Sequence, residues 1–170
     1  MNVPVLRPKD AALVPKLRKL GIKMPIRMLA AAHEAAIPPS LAASVLMQES
    51  GGGTNVFGHD PTIFAGAGQV TKAKYLAYRA QRGLEGEGGM QGVGPLQLTF
   101  YTLQDEADEQ GGCWKPYVNM LVGFQHLADN VRRSGMHAGV KAYNGSGDAA
   151  EAYANTVLDR AETFKQVLGR

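Results

Sequence analysis

The sequence is poor in cysteine, in charged residues and in long apolar runs. Cys113 is the one cysteine in 170 residues, which excludes an intrachain disulfide and a zinc site built on cysteines. Charged residues make up 19% of the chain, too few for a solvated coil. Hydrophobic residues make up 45%, which is enough for one domain with a substantial core, and Cys113 is predicted to be a small buried hydrophobe there.

The N-terminal residues, MNVPVLRPKDAALVPKLRKLGIKMP, are basic, and charges interrupt them every few positions. They contain no apolar core of the signal-peptide kind, and no run in the chain is long enough to cross a membrane. We therefore predict neither a signal peptide nor membrane insertion. The formal net charge of +3 is a mild positive bias, useful near polyanions such as cell-wall polymers, but it identifies no partner.

Hydrophobic periodicity indicates helices along most of the chain, and convincing alternating strands are missing. Residues 1–24 are interpreted as a basic arm with a short helix around Ala11 to Leu20, and residues 25–170 as the main domain. The predicted helices run from Pro25 to the Pro38-Pro39 pair, from an N-cap at Ser40 to Ser50, from a cap at Thr71 to about Arg82, from about Phe100 to Glu109, and over residues 118–135, 137–145 and 148–169. The fold class is mainly α, with at most a small β-ribbon near residue 56 or over residues 92–97.

Glu49 lies at the end of an apolar helix, in the run LAASVLMQESGGG. Leu41 and Val45 precede it at four-residue intervals, so its carboxyl shares the hydrophobic face. Desolvation there and the negative end of the helix dipole would both raise its pKa. A carboxylic acid that stays protonated near neutral pH can donate a proton to a glycosidic oxygen. The alternative is a frayed, exposed glutamate beside an ordinary glycine stop.

Three segments occur in order along the chain: VLMQES, GVGPLQLT and KAYNGSG. Together they resemble the signatures of the lysozyme-like superfamily of soluble lytic transglycosylases and goose-type lysozymes. With QESGGGTNVFGHD and GGCWKPYVNM, the chain looks similar to the catalytic domains of bacteriophage endolysins. The resemblance covers about residues 25–168 and implies a lysozyme-like helical catalytic domain over residues 25–170.

The resemblance also implies roles for individual residues. Glu49 matches the general acid, which protonates the β-1,4 glycosidic oxygen between N-acetylmuramic acid and N-acetylglucosamine. Gln97 matches a glutamine of the substrate groove, although the family's usual glycine-leucine-methionine-glutamine run reads GPLQ here. Tyr143 and Asn144 match the pair that faces the acid and positions the sugar, and Ser50 would hold the local backbone or the substrate.

Two further positions concern the attacking water. Goose-type hydrolases carry two aspartates for this purpose, and Asp60, in the run FGHD, matches the first. The second place, two residues after the glutamine, is occupied by Thr99, which could at most orient a water molecule. Asp60 precedes a proline and is equally typical of a turn. Hydrolysis, with Asp60 as the base, and transglycosylation therefore both remain open, and the presence of Asp60 slightly favours hydrolysis.

Other candidates receive ordinary interpretations. His59 and the remaining histidines show no metal-ligand spacing, and the glycines at 51–53 lack the lysine-serine/threonine ending of a phosphate loop, so neither a metal nor another cofactor is expected. An acidic cluster is predicted to be a solvated helix face; its members are Asp105, Glu106, Asp108 and Glu109. Four aromatic residues could stack on sugars, although core packing is expected for at least half of them; they are Tyr75, Tyr78, Phe100 and Tyr101.

The expected function is cleavage of bacterial peptidoglycan, as a phage enzyme that stays in the host cytoplasm until release and then lyses the cell wall. No obligate protein partner is inferred. The alternative of another class is a wall-binding or virion structural module that has lost turnover. Nucleic-acid binding is not expected, because the basic clusters at Lys16 to Lys19 and at Arg132-Arg133 are short and far apart.

Overall fold

The computed structural model describes residues 5–58, 68–82 and 90–169. Within these ranges a short 3-10 turn, Pro8–Asp10, precedes eight α-helices: α1 Leu13–Lys19, α2 Pro25–Glu34, α3 Pro39–Ser50, α4 Lys72–Gln81, α5 Tyr101–Glu109, α6 Pro116–Ser134, α7 Met136–Asn144 and α8 Gly147–Leu168. The mainly helical class expected from periodicity is confirmed. None of the helices in the described ranges has the length and apolar character needed to cross a membrane.

Of three predicted helix ends, one agrees with the structure and two differ from it. Thr71 caps α4 as predicted, accepting a hydrogen bond from the Lys74 backbone N–H at 3.3 Å. The predicted N-cap at Ser40 is wrong, because α3 begins at Pro39, two residues before the predicted start, and Ser40 lies buried inside the helix. Helix α2 ends at Glu34, before the proline pair, because Ala36 adopts a left-handed conformation with φ 57°.

In the described residues, the ribbon predicted from the glycine-rich segments takes the form of isolated antiparallel bridges. Val56 pairs with Gln69, Phe57 with Val93, and Val93 with Leu98. Backbone hydrogen bonds close the last of these pairs in both directions, at 3.2 and 3.0 Å. This small hairpin leads directly into α5 and, as described below, borders the candidate site.

The core is formed where α6 packs against α2, α5 and α7, and α8 packs against α1, α3 and α7. A buried hydroxyl joins two of these helices: Ser44 Oγ of α3 donates to the Val157 carbonyl of α8 at 2.6 Å. Leu13, Leu17 and Ile22 are buried in the same core. The N-terminal segment that was interpreted as an arm therefore packs as part of that core, with its short helix close to the predicted position.

Candidate active site

Glu49 is the penultimate residue of α3, and Leu41, Val45 and Leu46 of the same helix are buried. The helix stops because Gly51 takes a left-handed conformation, φ 60°, and donates its N–H to the Met47 carbonyl. Burial of the Glu49 carboxyl raises its pKa from 4.5 to about 7. The raised pKa expected from the helix position is confirmed, and the alternative of an exposed, frayed glutamate is wrong.

Tyr153 of α8 is the direct partner of that carboxyl. Its hydroxyl donates a hydrogen bond to Glu49 Oε1 at 2.5 Å, and this bond lowers the pKa of Glu49 against the larger effect of burial. Sequence reasoning missed this residue. The available signal was a hydroxyl on the apolar stripe of a long helix, between Ala150 and Val157, where a buried tyrosine needs a hydrogen-bond partner.

Tyr143, near the end of α7, lies close enough to Glu49 to respond to its charge. Burial of the Tyr143 hydroxyl raises its pKa well above 10, and the negative charge of Glu49 raises it further. The hydroxyl donates to the Leu96 carbonyl at 3.2 Å. The ring also contacts His126, with centroids 5.8 Å apart. The structure thus places Tyr143 near Glu49 while its hydroxyl bonds to the backbone of the hairpin.

Ser50 connects the end of α3 to the same hairpin. Its Oγ donates to the Pro95 carbonyl at 2.6 Å, one residue before the carbonyl that Tyr143 bonds. Pro95 occupies the second position of a tight turn, in which Gln97 N–H donates to the Gly94 carbonyl at 3.0 Å. Proline suits that position because its φ is already fixed. The motifs that are distant in sequence, around residues 49, 95 and 143, therefore meet at one turn.

The side chain of Gln97 stabilises this turn through hydrogen bonds to the backbone. It has a left-handed backbone, φ 48°, and its Nε2 donates to the carbonyls of Val56 and Gly94 at 3.0 and 2.8 Å. A Cβ at Gly58 or Gly92 would lie 2.7 or 2.5 Å from Gln97 Oε1, so a larger residue at either position would have to displace the Gln97 side chain. These hydrogen bonds within the protein hold in place the turn that Ser50 contacts.

The remaining predicted site residues are Thr99, Asn144 and Asp60. Thr99 Oγ1 donates to the Gln97 carbonyl at 3.0 Å, which leaves the hydroxyl only its acceptor capacity toward a ligand. Asn144, the last residue of α7, is exposed. Asp60, together with His59, lies outside the described residues.

Asn119 is a second polar residue that sequence reasoning missed. It is fully buried on α6, accepts from the Leu96 N–H at 2.9 Å and donates to the Val93 carbonyl at 2.8 Å. A Cβ at Gly94 would lie 2.5 Å from its Nδ2. Asn119 thereby fixes the turn from the side of α6.

The acidic cluster on α5 is only partly a solvated face, as Glu106 and Glu109 are exposed. Asp108 accepts from the Tyr75 hydroxyl and the Cys113 N–H and pairs with Arg79 at 2.8 Å. The prediction is therefore wrong for Asp108, whose side chain is 15% exposed. Asp105 pairs with Arg79 and Arg82 while its side chain stays 47% exposed, as expected for a solvated face.

The aromatic and cysteine side chains follow the predictions. Tyr75 and Tyr78 are fully buried, whereas Phe100 is 56% exposed, so half of the four aromatics serve the core. Tyr101 is partly exposed and lies under the Arg82 guanidinium, 5.0 Å from its ring centroid. Cys113 is buried, which raises the pKa of its thiol to about 12, so the thiol is protonated at neutral pH.

No group of three or more histidine, cysteine or acidic side chains in the described ranges is placed to hold a metal ion. A surface pocket of about 430 Å³ lies between α2, α5 and α6, and it shares no residue with the cluster around Glu49.

Comparison of the chain with protein-family models, with curated proteins and with solved structures found no match.

Proposed function

We propose that the chain is a peptidoglycan-cleaving muramidase with a lysozyme-like helical fold, acting on the β-1,4 bond between N-acetylmuramic acid and N-acetylglucosamine. The observation that carries the proposal is the state of Glu49. Its carboxyl is buried at a helix end, has a pKa of about 7, and is held by a tyrosine hydroxyl at 2.5 Å. These are the properties of a general acid that works near neutral pH.

The Tyr153 hydrogen bond gives the acid a defined orientation. Because the hydroxyl donates to Oε1, that oxygen acts as the carbonyl-like acceptor, and the proton of the neutral acid belongs on Oε2. Glu49 Oε2 would donate this proton to the glycosidic oxygen as the bond from that oxygen to C1 of the muramic acid breaks. Charge then develops on C1 as in an oxocarbenium ion. Tyr143 and Asn144, on the adjacent end of α7, would orient the sugar.

A nucleophile must then attack C1, and the proposal covers two. In a hydrolase, water attacks and Asp60, as base, takes its proton. In a lytic transglycosylase, the C6 hydroxyl of the same muramic acid attacks, and its proton returns to Glu49. Hydrolysis is the favoured version because Asp60 is present in the run FGHD, where the family resembled here carries its first water-holding aspartate.

The first prediction concerns the acid itself. Glu49→Gln keeps the size of the side chain and an acceptor for Tyr153 but removes the proton donor, so clearing of a suspension of cell walls should fall at least ~100-fold. Glu109→Gln, an exposed glutamate on α5, is the control and should clear walls at the wild-type rate. Circular dichroism of both variants checks that each is folded.

If Glu49→Gln still clears cell walls, Glu49 is not the general acid. Wild-type protein that binds walls and releases no sugar ends would instead indicate a non-catalytic wall-binding or virion module. Mass spectrometry of the released ends separates the two chemistries: free reducing ends that Asp60→Asn abolishes indicate hydrolysis, and 1,6-anhydro ends that Asp60→Asn preserves indicate transglycosylation.

A further inference from the structure

The charges of this chain are segregated along the sequence. Residues 1–27 contain seven lysine and arginine residues and one acid, Asp10, whereas the rest of the chain contains 11 lysine and arginine residues and 14 acids. The net charge of +3 is therefore the sum of +6 in the first 27 residues and −3 in the remainder. The one acid of this segment, Asp10, is buried and paired with Arg7 at 2.6 Å.

Four of these cations, Arg18, Lys19, Lys23 and Arg27, lie within ten residues at the end of α1 and the start of α2, and we call them the basic face. All four are exposed. None of the ion pairs recorded among the described residues includes a member of this face. The face thus concentrates charge at the surface without an acidic partner of its own, a state that favours an external anion.

One member of the basic face, Lys23, contacts the segment that follows Glu49. Lys23 N–H donates to the Gly52 carbonyl at 2.9 Å, and Lys23 Nζ bonds to Thr54 Oγ1. A Cβ at Gly52 would lie 2.2 Å from the Gly21 carbonyl oxygen, which shows how closely the two backbones approach. A polymer bound across the end of α3 would therefore meet these cations beside the site of cleavage.

We propose that the basic face binds anionic groups carried by the cell-wall polymer and holds that polymer next to Glu49; the identity of the polymer rests on the proposed function. The chemistry recognised is a repeated anion, either a phosphodiester of a wall-attached chain or a carboxylate of the stem peptides. Nucleic acid fits less well, because residues 5–27 contain no aromatic side chain on which bases stack. A membrane surface fits less well, because Val5 and Ile26 are the only large exposed hydrophobic residues in that part of the described chain.

The test measures binding independently of cleavage. Three neutral substitutions, Arg18→Gln, Lys19→Gln and Arg27→Gln, are combined in the Glu49→Gln background, so that purified sacculi stay intact during sedimentation. Lys23 is left unchanged because of its bond to Thr54. The control removes the same charge elsewhere, with Arg132→Gln, Arg133→Gln and Lys165→Gln on α6 and α8.

The variant of the basic face should bind sacculi about ten-fold more weakly than the control at low salt, and added salt should remove the difference. Sacculi stripped of phosphodiester polymers by hydrofluoric acid identify the anion: the difference disappears if phosphodiesters are bound and persists if stem carboxylates are. Equal binding by the two variants would overturn the proposal. The proposal would also be overturned if the two variants differed in binding to phosphatidylglycerol vesicles but not in binding to sacculi. Neither result depends on whether Glu49 is catalytic, which the clearing assay decides separately.

Discussion

At the scale of the residue, Glu49 is subject to two opposing effects. Removal of the carboxyl from water disfavours its charged form, and the hydroxyl of Tyr153 favours it. Burial is the larger effect, so the acid keeps its proton close to neutral pH. Under the proposed function Tyr153 would be a positioning residue, because it would orient the carboxyl without touching the substrate.

The second prediction tests this role through a pH profile. Tyr153→Phe removes the hydrogen bond that lowers the pKa of Glu49, so the alkaline limb of the wall-clearing rate, expected near pH 7, should move to higher pH. The maximal rate should also fall roughly ten-fold because the carboxyl loses its fixed orientation. Tyr117→Phe is the control: its hydroxyl bonds to another glutamate, Glu34, at 2.6 Å, and the variant should leave the limb unchanged. A loss of rate without a shift of the limb would assign Tyr153 a purely structural role.

At the scale of the element, the site depends on how the end of α3 is held. The glycines that follow the helix are not equivalent. Gly51 has φ 60° and open space where a Cβ would be, whereas Gly52 has φ 92° and would press a Cβ against the Gly21 backbone. A backbone cannot move aside as a flexible side chain can. The close approach of Gly52 to the Gly21 backbone therefore fixes how near the end of α1 lies to the end of α3.

The third prediction compares these two glycines. Gly51→Ala should lower the free energy of unfolding by about 1 kcal/mol, the strain of a left-handed alanine. Gly52→Ala should lower it by roughly 3 kcal/mol or more, because the two segments must also separate. Urea unfolding of both variants measures the difference. Equal losses would show that the close approach of Gly52 to Gly21 contributes nothing to stability.

At the scale of the whole molecule, the buried acid links stability to pH. In the unfolded chain Glu49 ionises around its ordinary pKa of 4.5, whereas the folded protein holds the proton until about pH 7. Between these values the native state binds more protons than the unfolded state, so stability falls as pH rises and levels off above pH 7. The contribution of Glu49 is therefore most favourable below pH 4.5.

The fourth prediction follows from this sign. Glu49→Gln should match the wild type in unfolding free energy near pH 4.5 and exceed it at pH 8 by up to roughly 3 kcal/mol, because the amide never has to be buried as a charge. Denaturant unfolding of both proteins at several pH values gives the difference, in which other titrating groups cancel. A difference that does not depend on pH would mean that the carboxyl is not desolvated in the folded protein.

The sequence by itself determined the features that depend on neighbours along the chain. Apolar spacing of 3.6 residues placed the helices, Thr71 identified a cap, and the glycines after Ser50 ended α3 with Glu49 on its buried side. Three short motifs also marked the segments that meet at the turn around Pro95. Each of these signals is local, and a single sequence contains it in full.

Only the tertiary structure decided which groups surround the acid and the acidic cluster. Tyr153 is 104 residues from Glu49, and the pairing of α3 with α8 that joins them has no local signature. Asp108 was assigned to solvent because charge on a helix is usually exposed, yet Tyr75, 33 residues away, brings it a hydrogen bond. Both cases have the same physical reason: the solvation of a carboxyl depends on the groups that other helices place against it, whereas its position on its own helix depends only on spacing.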